Sequence, residues 1–183
     1  MRGLSRAPLS MEFFEAVNRR RSVRIFTSQP VSDAQVQTLL EAANRAPSAG
    51  NLQAYFIYVV KDSAIRQRLS AAAGGQAAVA DAPVVLVFCA VPSRSAEKYG
   101  AKGAQLFCIQ DATIACAYTQ LAATAMGLSS VWIGAVHELE VVREALALKE
   151  GMWPIAFLPI GYPAEFPSPK PRRALAEFTY ELS

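Results

Sequence analysis

Apolar positions along the chain follow two spacings, and the switches between them predict the elements. Residues 11–21 place Phe13, Phe14 and Val17 on one helical face, with Ser10 as N-cap and Glu12 in the first turn. Ser32 and Gln35 spell a capping box ahead of Val36, Leu39, Leu40 and Ala43, an amphipathic helix that Pro47 ends. Glu41 with Arg45, and Asp62 with Arg66, are spaced as i,i+4 ion pairs. Residues 54–60 and 83–91 are unbroken apolar runs, the pattern of strands buried on both faces. Between them Asp62 caps a short helix to about Ala73, which Gly74 and Gly75 break.

Residues 91–103 carry Pro92, Ser93, Ser95, Gly100 and Gly103 and predict a polar, mobile loop. Residues 104–126 form the longest predicted helix, closed by Gly127, and it is apolar almost all round. Two readings stand for it: the central helix of one monomer, or a dimer interface whose small residues Ala112, Ala115 and Ala122 admit a partner helix. A strand over 130–135, a helix over 138–148 and a strand over 155–160 follow, the last ended by Gly161-Tyr162-Pro163. The proline-bearing tail is expected to be extended, with a final strand over 176–182. Helices and strands alternate without a clean break. The pattern predicts one α+β or α/β domain over 11–183 behind a ten-residue N-terminal extension, 1–10.

Composition sharpens this. An apolar content of 52% against 18% charged residues implies apolar surface hidden against a partner. A net charge of +3, with the basic groups gathered near residues 21 and 172, argues against a nucleic-acid partner. Cys89, Cys108 and Cys116 each lie in an apolar segment with no CxxC spacing, so they read as buried thiols in a reducing compartment. The N-terminus lacks the apolar stretch of a signal peptide, and no apolar run is long enough to span a bilayer. A cytoplasmic protein without a membrane partner is expected.

Four segments carry candidate chemistry. Arg19-Arg20-Arg21-Ser22-Val23-Arg24 is either a solvated basic face or a grip for a phosphate, which guanidinium forks bind bidentately. Pro47-Ser48-Ala49-Gly50-Asn51-Leu52-Gln53 is an ordinary helix-to-strand loop, or one whose small residues let backbone approach a heteroaromatic ring. Gly134, after Trp132 and Ile133, marks a bend or exposed backbone amides. Lys170-Pro171-Arg172-Arg173 holds cations on a stiff tail, and His137 reads as a surface or structural histidine.

Taken in order, Arg20-Arg21-Ser22-x-Arg24, the 47–53 loop, Trp132-Ile133-Gly134, Gly161-Tyr162-Pro163 and Lys170-x-Arg172 resemble the FMN-dependent nitroreductase family over residues 11–180. The resemblance implies a nitroreductase-like α+β fold: a mostly antiparallel central sheet flanked by helices, in a homodimer with a long buried interface helix. Arg20, Arg21, Ser22 and Arg24 would hold the FMN phosphate and flank the flavin, with Lys170 and Arg172 approaching from the tail. Pro47, Ser48 and Asn51, with Gln53 nearby, would line the flavin from the partner subunit. Ile133 and Gly134 would offer backbone N–H groups at flavin N5. The Asn and Lys that contact flavin in some relatives have no match in the Ala/Gly-rich run before Pro83.

The activity implied is hydride transfer from NADH or NADPH to a small planar acceptor, a nitroaromatic or quinone, by a ping-pong scheme. No side chain serves as nucleophile and no metal takes part. A different reaction of the same superfamily, or a flavin- or phosphate-ligand-binding protein without turnover, is the alternative.

Overall fold

The computed structural model describes residues 11–182; the ten-residue extension and the Ser10 cap lie outside them. Four antiparallel strands form one sheet in the order β1-β2-β4-β3: β1 Tyr55–Val60, β2 Val84–Ala90, β3 Ser129–Ser130 and β4 Trp153–Gly161. Every residue of β2 is buried, because helices cover both faces of the sheet. Side chains alternate along a strand, so Val84, Leu86 and Phe88 pack toward α2 (Asp33–Asn44) and α6 (Cys108–Ala125). Val85, Val87 and Cys89 pack the other way, against α3 (Ser63–Ala72), α4 (Ala77–Asp81) and α7 (Leu139–Leu146).

Local chemistry forms the elements where the sequence signals it. Ser32 and Gln35 complete the capping box of α2, and the Asp62 carboxylate accepts the Ile65 N–H to start α3. Gly74, Gly75 and Gly127 take the left-handed conformation at helix ends.

Other expectations are corrected. Residues 92–102 are not a loop but a helix, α5 (Pro92–Lys102): Pro92 occupies its first turn, where a missing N–H costs nothing. Gly100 breaks the helical dihedrals without ending the element, and Gly103 is there because a Cβ would lie 2.4 Å from the Ser95 carbonyl oxygen. The long helix therefore starts with a π-helical turn, Gly103–Phe107, before α6. The third strand is two residues long, with Ile133 bridging Phe157 beyond it. The tail forms a 3-10 turn at Leu175–Glu177 rather than a strand. Glu41 and Arg66 do not make their expected pairs: Glu41 accepts from Gln37, and the Arg66 guanidinium donates to backbone carbonyls of Lys61, Ala80 and Pro83.

The first helix, α1 (Phe13–Arg19), turns its apolar face outward. Phe13 is 62% and Phe14 77% exposed, while only Ala16 is buried. On α6 the buried stripe includes Cys108, Ala112, Ala115 and Cys116, whereas Gln110, Thr113, Ala117 and Tyr118 stay exposed. No helix among the described residues is long and apolar enough to cross a membrane.

All three cysteines are buried, and burial pushes the Cys89 thiol up to about 12 and Cys116 well above the ordinary range. A raised thiol pKa favours the folded state fully below the ordinary thiol value, and that contribution fades as pH rises toward 12. A thiol-disulfide dye at pH 8 should therefore label no cysteine in the native protein and all three after denaturation.

Candidate functional site

The arginine cluster begins where α1 ends. Arg19 pairs with Glu15 at 2.7 Å on the solvated side of the helix. Arg21 folds back and donates to the carbonyls of Asn18 (2.6 Å) and Arg20 (2.9 Å), meeting orphan acceptors of the helix end. The chain then runs beside β3, with the Val23 N–H donating to the Ser130 carbonyl at 3.2 Å and Ser22 bridging Ser130.

The tail is held to this cluster by backbone hydrogen bonds, Ala164 N–H to the Ile25 carbonyl and Thr27 N–H to the Tyr162 carbonyl, each 2.9 Å, and by one carboxylate. Glu165 Oε1 accepts the backbone N–H groups of both Arg24 (2.6 Å) and Ile25 (3.2 Å). The half-buried Arg20 guanidinium has its pKa lowered, first by burial and then by the positive charges of Arg172 and Arg21. Arg172, far away in sequence, is thus near enough for its charge to act on Arg20. Among the described residues, Arg20, Arg21, Arg24, Lys170 and Arg172 have no carboxylate ion-pair partner. Mutually repelling cations, one of them half-buried, fit a polyanionic group such as a phosphate. Arg24 stands on the rim of a cavity of about 490 Å³ that Phe26, Gly75 and Gln76 also line. Gln76 went unnoticed in the sequence; it follows the glycine pair, and only the fold carries it to Arg24.

The 47–53 loop is held in an unusual shape. Gly50 (φ 57°), Asn51 (57°) and Gln53 (50°) are all left-handed, a conformation that non-glycine residues adopt only where their surroundings enforce it. Asp111 on α6 supplies that enforcement. Its buried carboxylate accepts the Ala49 N–H at 2.9 Å through one oxygen and the Ala54 N–H at 3.2 Å through the other. Ser48 Oγ accepts the Gln53 N–H at 3.0 Å, and Asn51 leaves its side chain exposed. Sequence reading missed Asp111. Its only signal is a carboxylate in phase with Cys108, Ala112 and Ala115 on the buried stripe.

Two expectations change here. The Gln53 amide turns away from the loop, to the carbonyl and side-chain oxygens of Asn44. The Ile133 N–H donates to the Phe157 carbonyl at 3.0 Å, so it is not available to a ligand. Gly134 is exposed, its N–H makes no hydrogen bond among the described residues, and a Cβ would lie 3.1 Å from the Trp132 indole nitrogen. Pro47 and Ser48 border a groove of about 520 Å³ whose other wall is Gln110, Thr113 and Ile114 of α6. His137 is exposed and lies against Gly74.

The sequence model of the Nitroreductase family matches residues 17–80 and 70–162. An FMN reductase [NAD(P)H] of Bacillus subtilis is 33% identical over 88% of this chain and 70% of its own length. An oxygen-insensitive NADPH nitroreductase of Salmonella typhimurium is 35% identical over 83% of this chain and 66% of its own. Among solved structures, the NADPH:FMN oxidoreductase of Vibrio harveyi complexed with NAD+ superposes with a TM-score of 0.85 at 33% identity, covering 93% of this chain and 77% of that one.

Proposed function

The chain belongs to the nitroreductase family, and from that premise we propose that it is an FMN-dependent oxidoreductase that draws reducing equivalents from NAD(P)H and passes them to a planar acceptor such as a nitroaromatic or quinone. The observation that carries this reading is the mutual repulsion of Arg20, Arg21 and Arg172, none of which has a carboxylate ion-pair partner among the described residues. A flavin mononucleotide phosphate supplies the missing charge. When bound, FMN contributes the hydride chemistry, which no side-chain constellation of this chain could perform.

The chain's own residues bind, orient and shield. Arg20 and Arg172 grip the phosphate, Lys170 approaches from the same tail, and Glu165 keeps tail and cluster in register. Arg24 and Gln76 line the adjoining cavity. The Gly134 N–H is the donor left for the reactive edge of the ring. Pro47, Ser48 and Asn51 form a second wall, held rigid by Asp111.

That second wall faces the exposed side of α6 rather than the arginine cluster, which supports a homodimer whose sites each take one wall from each subunit. The uncovered apolar residues Phe13, Phe14, Leu106 and Tyr118 are surface such a partner would bury. Buried, reduced thiols support the cytoplasm as its compartment.

Purified protein should be yellow and sediment as a dimer at micromolar concentration. Anaerobic NADPH or NADH should bleach it, and a quinone or nitroaromatic should restore the colour. A colourless protein that ignores added FMN refutes the flavin reading; a yellow monomer refutes the two-chain site.

A further inference from the structure

A second group of cations lies outside the phosphate grip, on α5. The Arg94 guanidinium donates through Nε to the Leu52 carbonyl, so the helix is pinned over the 48–53 loop. One turn on, Lys98 and Tyr99 crowd Gly50 so closely that a Cβ there would lie 2.8 Å from Lys98 Nζ and 2.5 Å from the Tyr99 hydroxyl. Arg94 and Lys98 are four positions apart and share a helix face.

Neither is neutralised. Arg94 and Lys98 have no carboxylate ion-pair partner among the described residues, although Glu97 is on the same helix. Asp111 beneath the loop has turned both oxygens to backbone N–H groups. The Tyr99 ring stands edge-on to Phe107, centroids 5.1 Å apart, giving the cations an aromatic wall.

The reductant carries phosphates, and the sequence has no GxGxxG turn to receive them on a helix N-terminus. Side chains must then meet that charge. We infer that Arg94 and Lys98 form the phosphate-reading side of the pyridine-dinucleotide site and select NADPH over NADH through its 2′-phosphate. This rests on the reading of the 47–53 loop as a flavin wall. A phosphomonoester near neutral pH carries more charge than each bridging phosphate of the pyrophosphate, so it gains most from two unneutralised cations.

The test uses FMN-loaded protein, whose flavin content is first fixed by absorbance; a preparation that never binds FMN refutes the flavin reading and, with it, a dinucleotide site built on that loop. NADP+ and NAD+ are titrated into the holoprotein by calorimetry at two ionic strengths. Wild type should bind NADP+ about ten-fold or more tighter than NAD+, with the steeper salt dependence. In Arg94→Ala/Lys98→Ala that ratio should fall toward one. Lys98→Ala, which leaves the Arg94–Leu52 bond in place, should lose part of it, and Lys98→Arg should keep it. Equal losses for both dinucleotides overturn the 2′-phosphate assignment in favour of the pyrophosphate. Unchanged affinities for both dinucleotides in a normally folded, fully flavinated double variant overturn the site.

Discussion

Arg20→Ala and Arg172→Ala should each weaken FMN binding by about 1–3 kcal/mol, roughly five- to a hundred-and-fifty-fold, the range for hydrogen bonds to charged groups. The two residues act on one phosphate, so the double variant should lose less than the sum of the single losses. The apoprotein responds in the opposite sense. Arg172 is exposed and only adds repulsion to the half-buried Arg20, so its removal should leave apoprotein stability unchanged or slightly raised at low salt. That gain should disappear at high ionic strength. Flavin-fluorescence titration and urea unfolding of the same samples check both halves. Unaltered FMN affinity in both single variants would return the cluster to a solvated basic face.

Asp111→Ala should have the larger structural effect. It strands the Ala49 and Ala54 N–H groups, the latter wholly buried, and each unsatisfied donor costs about 1–3 kcal/mol. A loss on the order of 3 kcal/mol in unfolding free energy is expected, with a fall in FMN affinity because the left-handed conformations of Gly50, Asn51 and Gln53 relax. Asp111→Asn retains one acceptor oxygen and replaces the other with donors, so it should recover only part of both losses. Full flavin affinity in Asp111→Ala would sever the loop's conformation from binding.

What the sequence made legible was what local chemistry decides. The Ser32 cap, the Asp62 cap and the β2 run each need only neighbouring residues, and each was readable. Residues 92–102 were misread because proline and glycine were counted as breakers irrespective of position. Pro92 starts a helix, and Gly103 answers a contact with Ser95. The final strand fails for a related reason: alternation in 176–182 specifies a strand only where an edge receives it, and among the described residues no strand pairs with it.

The site divides the same way. Residue types in the arginine cluster, the 47–53 loop and the tail announced themselves. Their orientations did not: Arg21 and Gln53 turn to local carbonyls, and the Ile133 N–H joins the sheet. Asp111, Glu165 and Gln76 act only through partners distant in sequence, which local spacing does not pair.

The complete enclosure of β2 bears on how the protein meets its cofactor. Its seven residues and the layers on both sides of it contain neither the arginine cluster nor the 47–53 loop. On the proposed site, the most deeply buried strand lies apart from the residues that would hold flavin, so FMN would bind a framework already formed, and its occupancy would follow the free FMN concentration by mass action.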